Sequence, residues 1–224
     1  MKVERGSASE PKAMMTLVKI CGVTDPDNAA AVATAGADFI GLNFWPRSKR
    51  FVTRERAAEI AAAIRGAGPA RLVGVFVDAK PDEIAAVLAQ VELDILQLHG
   101  DETPARLLAI APGRTLWKVV AAHDATAVDD LDRWPADAIL LDTPSPDRGG
   151  TGKTFDWSIA RTARSRYPAR QLVLAGGLHP DNIAAAITEV SPWAVDVASG
   201  VESAPGIKDP ARVADFIAAA RAAR

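Results

Sequence analysis

A chain of 224 residues with 49% hydrophobic and 24% charged residues has the composition of a soluble globular protein with a substantial core. Its formal net charge of -2 at pH 7 gives no global electrostatic reason to bind nucleic acid or an anionic membrane, so local groups must hold any anionic ligand. No apolar run approaches the ~20 residues needed to span a bilayer. The single cysteine, Cys21, excludes an intramolecular disulfide and a thiolate metal cluster.

The segment before the first apolar run has a different character. Residues 1–13 are polar and mixed in charge, and they lack the apolar stretch of a signal peptide. We therefore predict a disordered extension over residues 1–16 and a single catalytic domain over residues 17–224. We expect the protein to be cytoplasmic.

From Leu17 onward, apolar β-rich runs alternate with Ala-rich helical stretches. The predicted strands are residues 17–21, 39–44, 72–77, 95–98, 115–120, 138–142, 171–175 and 194–198. The predicted helices are residues 26–35, 54–65, 81–90, 102–110, 124–132, 155–166, 180–189 and 209–222. Eight strand–helix units predict a closed (β/α)8 TIM barrel, since a doubly wound sheet usually has fewer strands.

An aspartate stands at the start of three even-numbered predicted strands, namely Asp38, Asp94 and Asp137. This spacing is a faint internal repeat. The amino ends of the strands form the face of a barrel that usually serves stability, so we expect these aspartates to be structural.

The opposite face, at the carboxyl ends of the strands, is where catalytic groups lie in such a barrel. There the first and sixth strands end in Cys21 and Asp142, a pair suited to acid–base chemistry. A thiol with a free pKa near ~8.5 can act as a base where thiolate is favoured, and a carboxyl near ~4 must be buried before it donates a proton at neutral pH. The structural alternatives are a buried apolar cysteine and a helix-capping or ion-paired aspartate.

Lys19 lies two residues before Cys21, so its side chain faces the same way, into the barrel. A buried lysine needs a carboxylate partner, which favours a structural ion pair. The alternative is that Lys19 lowers the pKa of Cys21.

Glycines follow the seventh and eighth predicted strands. Gly176, Gly177 and Gly200 would let backbone N–H groups approach a phosphate closely, and Ser199 would add a hydroxyl donor. Tight strand-to-helix turns are the alternative reason for these glycines. Because both turns carry them at the two expected strands, we predict a phosphate site.

Residues 149–154 end like a nucleotide-binding P-loop, but Asp147 stands where its first glycine is required. We interpret residues 143–154 as a mobile loop over the site. Lys153 in this loop is more typical of a solvated lysine than of an anion ligand.

Several segments, in order along the chain, resemble the phosphoribosylanthranilate isomerase family. The resemblance runs from about Val18 to the last predicted helix. It includes residues 18–24 (VKICGVT), 46–52 (PRSKRFV), 97–100 (QLHG), 174–178 (LAGGL) and 196–209 (DVASGVESAPGIKD). Ala198 departs from the family pattern, in which serine is common at that position.

The resemblance implies conversion of N-(5-phosphoribosyl)anthranilate to 1-(2-carboxyphenylamino)-1-deoxyribulose 5-phosphate in tryptophan biosynthesis, with neither cofactor nor metal. This reaction is an Amadori rearrangement of a phosphorylated small molecule. The resemblance implies that Asp142 is the general acid and Cys21 the general base. It also places Arg50 near the substrate carboxylate and His99 in the site lining. We expect a monomer or a homodimer.

The sequence disfavours three other functions. Related barrel isomerases of histidine biosynthesis carry an aspartate at the end of the first strand and a half-barrel repeat, and Cys21 argues against them. Indole-glycerol phosphate synthase would need a catalytic lysine and carboxylates that the strand ends lack. A non-catalytic phosphate-binding barrel is disfavoured by the presence of both Cys21 and Asp142.

Overall fold

The computed structural model describes residues 15–110, 112–144 and 154–223. Most of the predicted extension, residues 1–14, and most of the predicted loop, residues 145–153, lie outside the described residues. No helix in the described ranges is both long enough and apolar enough to cross a membrane.

Within the described residues, eight parallel strands form a closed barrel in which each strand pairs with the next and β8 pairs with β1. The strands are β1 Leu17–Cys21, β2 Phe39–Asn43, β3 Arg71–Phe76, β4 Ile95–Leu98, β5 Thr115–Ala121, β6 Ala138–Asp142, β7 Gln171–Leu174 and β8 Ala194–Val197. The predicted TIM barrel is therefore confirmed. The predicted bounds of β1, β4 and β6 are those observed, and the other strands differ by one residue at one or both ends.

Helices cover the outside of the barrel. They are α1 Pro26–Thr34, α2 Arg54–Ala67, α3 Pro81–Leu88, α4 Pro104–Ile110, α5 Trp157–Arg166, α6 Ile183–Val190 and α7 Pro210–Ala222. Proline at the first position suits a helix start because its missing N–H would have no partner there. An aspartate caps two of these helices. Asp25, just before α1, accepts a hydrogen bond from the Asn28 N–H, and Asp209, just before α7, accepts one from the Ala211 N–H.

The predicted helix at residues 124–132 is wrong. Two short 3-10 turns, Ala125–Val128 and Leu131–Arg133, occupy this segment. The Asp124 carboxylate accepts from the backbone N–H of Thr126 at 2.8 Å, a local bond that competes with a regular helix. The segment is rich in aspartate and buries only Val128 and Leu131 within these turns, too little for the apolar face of an α-helix.

Two apolar cores hold the barrel together. The larger lies between the strands and the helices, and the smaller fills the barrel interior. Near the amino ends of the strands, the Phe39 and Trp117 rings lie 5.0 Å apart, and Trp193 lies 5.7 Å from each of them. These aromatic rings fill the barrel below the carboxyl-end face, where the polar residues lie.

The three repeated aspartates are structural, as predicted. Each carboxylate accepts from the backbone N–H of the second residue of the preceding strand: Val18 N–H to Asp38 at 2.7 Å, Leu72 N–H to Asp94 at 2.7 Å, and Leu116 N–H to Asp137 at 2.8 Å. Each therefore ties the start of an odd-numbered strand to the strand that follows it. Trp193 occupies the corresponding place before β8, where its own N–H donates to the Leu172 carbonyl at 2.9 Å.

Candidate active site

A pocket of about 540 Å³ opens at the carboxyl ends of the strands. Seven of the eight predicted site residues line it: Cys21, Arg50, His99, Asp142, Gly176, Gly177 and Ser199. Gly200, the eighth, is not part of this lining. Residues far apart in sequence thus meet in one cavity because parallel strands of a barrel all end on the same face.

Cys21 ends β1 in this pocket, and Asp142 ends β6, separated from it around the barrel by β7 and β8. Burial raises the pKa of the Cys21 thiol above its ordinary value, and the Asp196 carboxylate adds to this rise. Lys19 and Lys208 oppose it without cancelling it. Lys19 therefore does lower the pKa of the thiol, as the alternative interpretation required, but the net shift is upward.

The carboxyl of Asp142 has properties unusual for an aspartate. Burial and the nearby Asp196 charge raise its pKa to about 7, although a hydrogen bond from the Thr143 N–H and the Lys19 charge act in the other direction. The Thr143 N–H donates to Oδ1 at 2.7 Å, and His99 Nε2 lies 3.8 Å from Oδ2. A carboxyl with this pKa can both hold and release a proton near neutral pH.

Lys19 is fully buried and forms the predicted ion pair. Its Nζ lies 2.9 Å from Oδ1 of Asp196, which stands directly beside it on β8. Although burial opposes the charge, Asp196 and Cys21 raise the pKa of Lys19, so the ammonium is retained. Asp196 was not predicted as the partner of Lys19. The two residues meet because closure of the barrel puts β8 next to β1.

Arg50 lies in a charged cluster that sequence analysis missed. Its Nε and Nη2 each donate to Glu202 at 2.7 Å, and Lys208 Nζ donates to Glu202 Oε1 at 2.7 Å. Although burial opposes it, the hydrogen bonds and charges of Arg50 and Lys208 lower the pKa of Glu202. Two basic side chains thus face one carboxylate beside the pocket.

A short antiparallel hairpin brings this cluster together. It consists of β9 Glu202–Ala204 and β10 Ile207–Lys208, and it was not predicted. The signal in the sequence was the Pro205–Gly206 pair, which is typical of a turn. Gly22, next to Cys21, gives Arg50 its room, since a Cβ there would lie 2.3 Å from Arg50 Cδ.

The turns after β7 and β8 pack closely against their neighbours. Gly176 and Gly177 have φ of +83° and +62°, and a Cβ on Gly176 would lie 2.2 Å from Thr143 Oγ1. A Cβ on Gly200 would lie 1.9 Å from the Leu178 carbonyl oxygen, so Gly200 allows the two turns to meet behind the pocket. The side chain of Asn182 holds the first turn by accepting from the His179 N–H and donating to the Gly177 carbonyl. Because of this turn, α6 begins at Ile183 and not at the predicted residue 180.

One polar group of the pocket is left unsatisfied. The side-chain oxygen of Gln97, on β4, is buried and has no hydrogen-bond partner among the described residues. Because a buried acceptor without a donor is costly, this oxygen is suited to accept from a bound ligand. The described ranges contain no group of three or more His, Cys, Asp and Glu side chains arranged to hold a metal ion.

Comparisons with known proteins show which family the chain resembles. The sequence profile of the N-(5'-phosphoribosyl)anthranilate isomerase family matches residues 18–219. The N-(5'-phosphoribosyl)anthranilate isomerase of Geotalea uraniireducens is 44% identical over 208 residues, which are 92% of this chain and 99% of that protein. The enzyme of Ralstonia nicotianae is also 44% identical, over 93% of this chain and 94% of its own length.

Solved structures give the same result. The crystal structure of phosphoribosyl anthranilate isomerase from Thermotoga maritima has a TM-score of 0.83 and 39% identity, and the match covers 92% of this chain and 98% of that one. A phosphoribosyl anthranilate isomerase in complex with reduced 1-(o-carboxyphenylamino)-1-deoxyribulose 5-phosphate has a TM-score of 0.81 and 38% identity over the same shares. The chain therefore belongs to the N-(5'-phosphoribosyl)anthranilate isomerase family and is an isomerase of tryptophan biosynthesis.

Proposed function

We propose that this chain converts N-(5'-phosphoribosyl)anthranilate to 1-(2-carboxyphenylamino)-1-deoxyribulose 5-phosphate with Asp142 as general acid and Cys21 as general base. The observation that carries this proposal is the pair itself. A thiol and a carboxyl whose pKa is about 7 face one pocket from separate strands. Such a pair can give a proton on one side of a substrate and take one on the other.

The phosphate of this substrate is assigned to the turns after β7 and β8. Gly176, Gly177 and Ser199 line the pocket there. Backbone N–H groups at glycines bind phosphate without a charged side chain. Such local donors are what the chain needs, because its formal net charge of -2 gives no overall attraction for an anion. The serine hydroxyl adds one further donor.

The anthranilate carboxylate is assigned to Arg50. Glu202 already holds two of the guanidinium nitrogens, Nε and Nη2, and so fixes the plane of the group. Nη1 is the nitrogen that Glu202 does not occupy, and we assign it to the substrate. Arg50 and Lys208 together carry more positive charge than Glu202 alone neutralises, and this favours an anion beside them.

In the first step, Asp142 gives its proton to the ring oxygen of the ribose. The bond between C1 and this oxygen breaks, and the lone pair of the anilino nitrogen forms the C=N bond of an iminium ion. Because this nitrogen belongs to the substrate, the cation needs no bound electrophile. The raised pKa of Asp142 supports this role, since an ordinary carboxyl would be almost fully ionised at neutral pH.

In the second step, the Cys21 thiolate takes the proton from C2 of the open sugar. The electron pair released forms a C1–C2 double bond and neutralises the iminium nitrogen, which gives an enolamine. The 2-hydroxyl then loses its proton while C1 gains one, and the ketone is formed. Two protons leave, from C2 and its hydroxyl, and two are added, to the ring oxygen and C1, so the sugar is isomerised without net change.

Turnover of freshly made N-(5'-phosphoribosyl)anthranilate tests the proposed reaction. We expect the anthranilate-type fluorescence to fall when the purified chain is added, and the product to match authentic 1-(2-carboxyphenylamino)-1-deoxyribulose 5-phosphate by chromatography. The aminoaldose of histidine biosynthesis is the comparison substrate. Turnover of the histidine-pathway compound without turnover of N-(5'-phosphoribosyl)anthranilate would contradict the proposal. Tight binding of the product without any turnover would identify a non-catalytic barrel.

A further inference from the structure

The ion pair of Lys19 and Asp196 lies beneath the two groups that carry the proposed chemistry. We propose that Lys19 and Asp196 are positioning residues of the isomerase reaction, whose buried charges set the electrostatic environment of Cys21 and Asp142. This inference rests on the proposed function, because it assigns a purpose to charges beside the acid and the base named there. Neither residue is proposed to exchange a proton with the substrate.

The geometry of β1, β2 and β8 brings the ammonium and the sulfur together. Lys19 precedes Cys21 by two residues, so both side chains point into the barrel, and Asp196 stands in register beside Lys19. Gly41 stands in register beside Cys21 on β2. A Cβ on Gly41 would lie 2.8 Å from Cys21 Sγ and 3.2 Å from Lys19 Nζ, so both groups lie against the space that Gly41 leaves open.

Burying an ion pair in this way costs folding free energy, so the charges of Lys19 and Asp196 call for a role other than stability. The side chain of Lys19 is 0% exposed and that of Asp196 is 10% exposed. Removing two charges from water is unfavourable, and replacement of a buried ion pair by apolar residues of similar size is often neutral or stabilising. Asp196 also lines the substrate pocket. A stabilising role alone therefore explains neither the choice of charged residues nor their place under the acid and the base.

Four charged groups act on Cys21. The positive charges of Lys19 and Lys208 lower the pKa of the thiol, the negative charge of Asp196 raises it, and Arg50 is coupled to the same sulfur. Lys19 has the largest effect of the charged groups, second only to burial. When the thiol ionises, the new negative charge therefore has the Lys19 ammonium as its main electrostatic partner.

Lys19 and Asp196 shift the pKa of Asp142 in the same directions as they shift that of Cys21. Asp196 raises its pKa and Lys19 lowers it, while the Thr143 N–H stabilises the ionised form and His99 lies 3.8 Å away. Loss of the Lys19 charge should therefore raise the pKa of both Cys21 and Asp142. Loss of the Asp196 charge should lower both. A merely structural pair predicts that the two substitutions act alike.

Alkylation of Cys21 by iodoacetamide tests this directly, because the chain has one cysteine and only its thiolate reacts. At a fixed pH below the thiol pKa, we expect Lys19→Met to slow alkylation by about tenfold, which corresponds to about one pKa unit. We expect Asp196→Asn to accelerate it by several-fold. The rate is measured against pH in the intact chain and needs no substrate.

Lys118→Met is the matched control. Lys118 and Glu102 form another buried pair, with Nζ and Oε2 2.7 Å apart, but they are not among the groups that act on Cys21. The control should lose stability without changing the alkylation rate. Lys19→Arg keeps the positive charge and should keep a rate near that of the wild type. Should Lys19→Met fail to fold, the comparison of the wild type, Lys19→Arg and Asp196→Asn still decides the matter.

The pH profile of kcat/KM gives the second readout. Both limbs should move to higher pH in Lys19→Met and to lower pH in Asp196→Asn. Alkylation rates that stay unchanged, or that move in one direction in both variants, would overturn the inference while leaving the reaction itself intact. Full activity of a Cys21→Ala variant would instead overturn the proposed base, whatever the alkylation rates.

Discussion

At the scale of single residues, the pKa values of the proposed acid and the proposed base limit how much of the enzyme is in its active form. Asp142 has a pKa of about 7, and that of Cys21 lies above the ordinary thiol value. The proposed chemistry needs a protonated Asp142 and an ionised Cys21. This is the reverse of the distribution that the two values favour, so only a small share of the free enzyme is ready at any pH.

This order predicts the pH dependence of kcat/KM. Below about pH 7, Asp142 is protonated and activity should rise with pH because the thiolate fraction rises. Above that pH, each gain in thiolate is offset by the loss of the Asp142 proton, so activity should level off. It should fall only above the raised pKa of Cys21. A profile measured from about pH 5.5 to 10 checks this; a steady decline from pH 7 upward would contradict the assignment.

Arg50→Ala should mainly weaken substrate binding. A hydrogen bond to a charged group contributes ~1.5–3 kcal/mol, so KM should rise by about ten- to a hundredfold while kcat falls less. Steady-state kinetics measure both constants. Arg106→Ala is the control, because Arg106 donates to the Asp78 and Ala79 carbonyls outside the pocket. An unchanged KM in Arg50→Ala would rule out the assigned carboxylate site.

At the scale of elements, the amino ends of the strands stabilise the barrel and the carboxyl ends carry the candidate site. The starts are tied together by Asp38, Asp94 and Asp137, whose carboxylates bind backbone N–H groups of the preceding strands. The ends carry Cys21 and Asp142. Changes at the two faces should therefore separate stability from activity.

Asp94→Ala should lower the free energy of unfolding without changing KM. The substitution leaves the Leu72 N–H without its side-chain acceptor, which costs about 1–3 kcal/mol. Urea unfolding measures this cost. Asp215→Ala, at an exposed position of α7, should change stability by less than ~0.5 kcal/mol. Equal unfolding curves for the two variants would contradict the structural role of Asp94.

The same elements show which parts of the fold the sequence predicts. The barrel strands are predicted within one residue at each end because each is an apolar run between helical stretches with clear start signals. Residues 124–132 are mispredicted because local side-chain bonds compete with the helix there. The β9–β10 hairpin is missed because strands of two or three residues carry almost no alternating pattern.

At the scale of the whole molecule, closure of the barrel assembles the site. The strand ends that hold Cys21 and Asp142 were predictable once eight units were counted, because all strand ends share one face. The partners of the charged residues were not. Pairing of Lys19 with Asp196 requires the register of the first strand against the last, and that of Arg50 with Glu202 requires an unpredicted hairpin.

The central claim is that Cys21 takes the proton from the substrate. Its most direct test is kcat for freshly made N-(5'-phosphoribosyl)anthranilate in the wild type and in Cys21→Ala, with matching unfolding transitions as the check on folding. Loss of a general base lowers the rate by about 10²–10⁴-fold, so we expect kcat to fall by at least about a hundredfold while KM changes little. A Cys21→Ala variant with the kcat of the wild type would contradict the account.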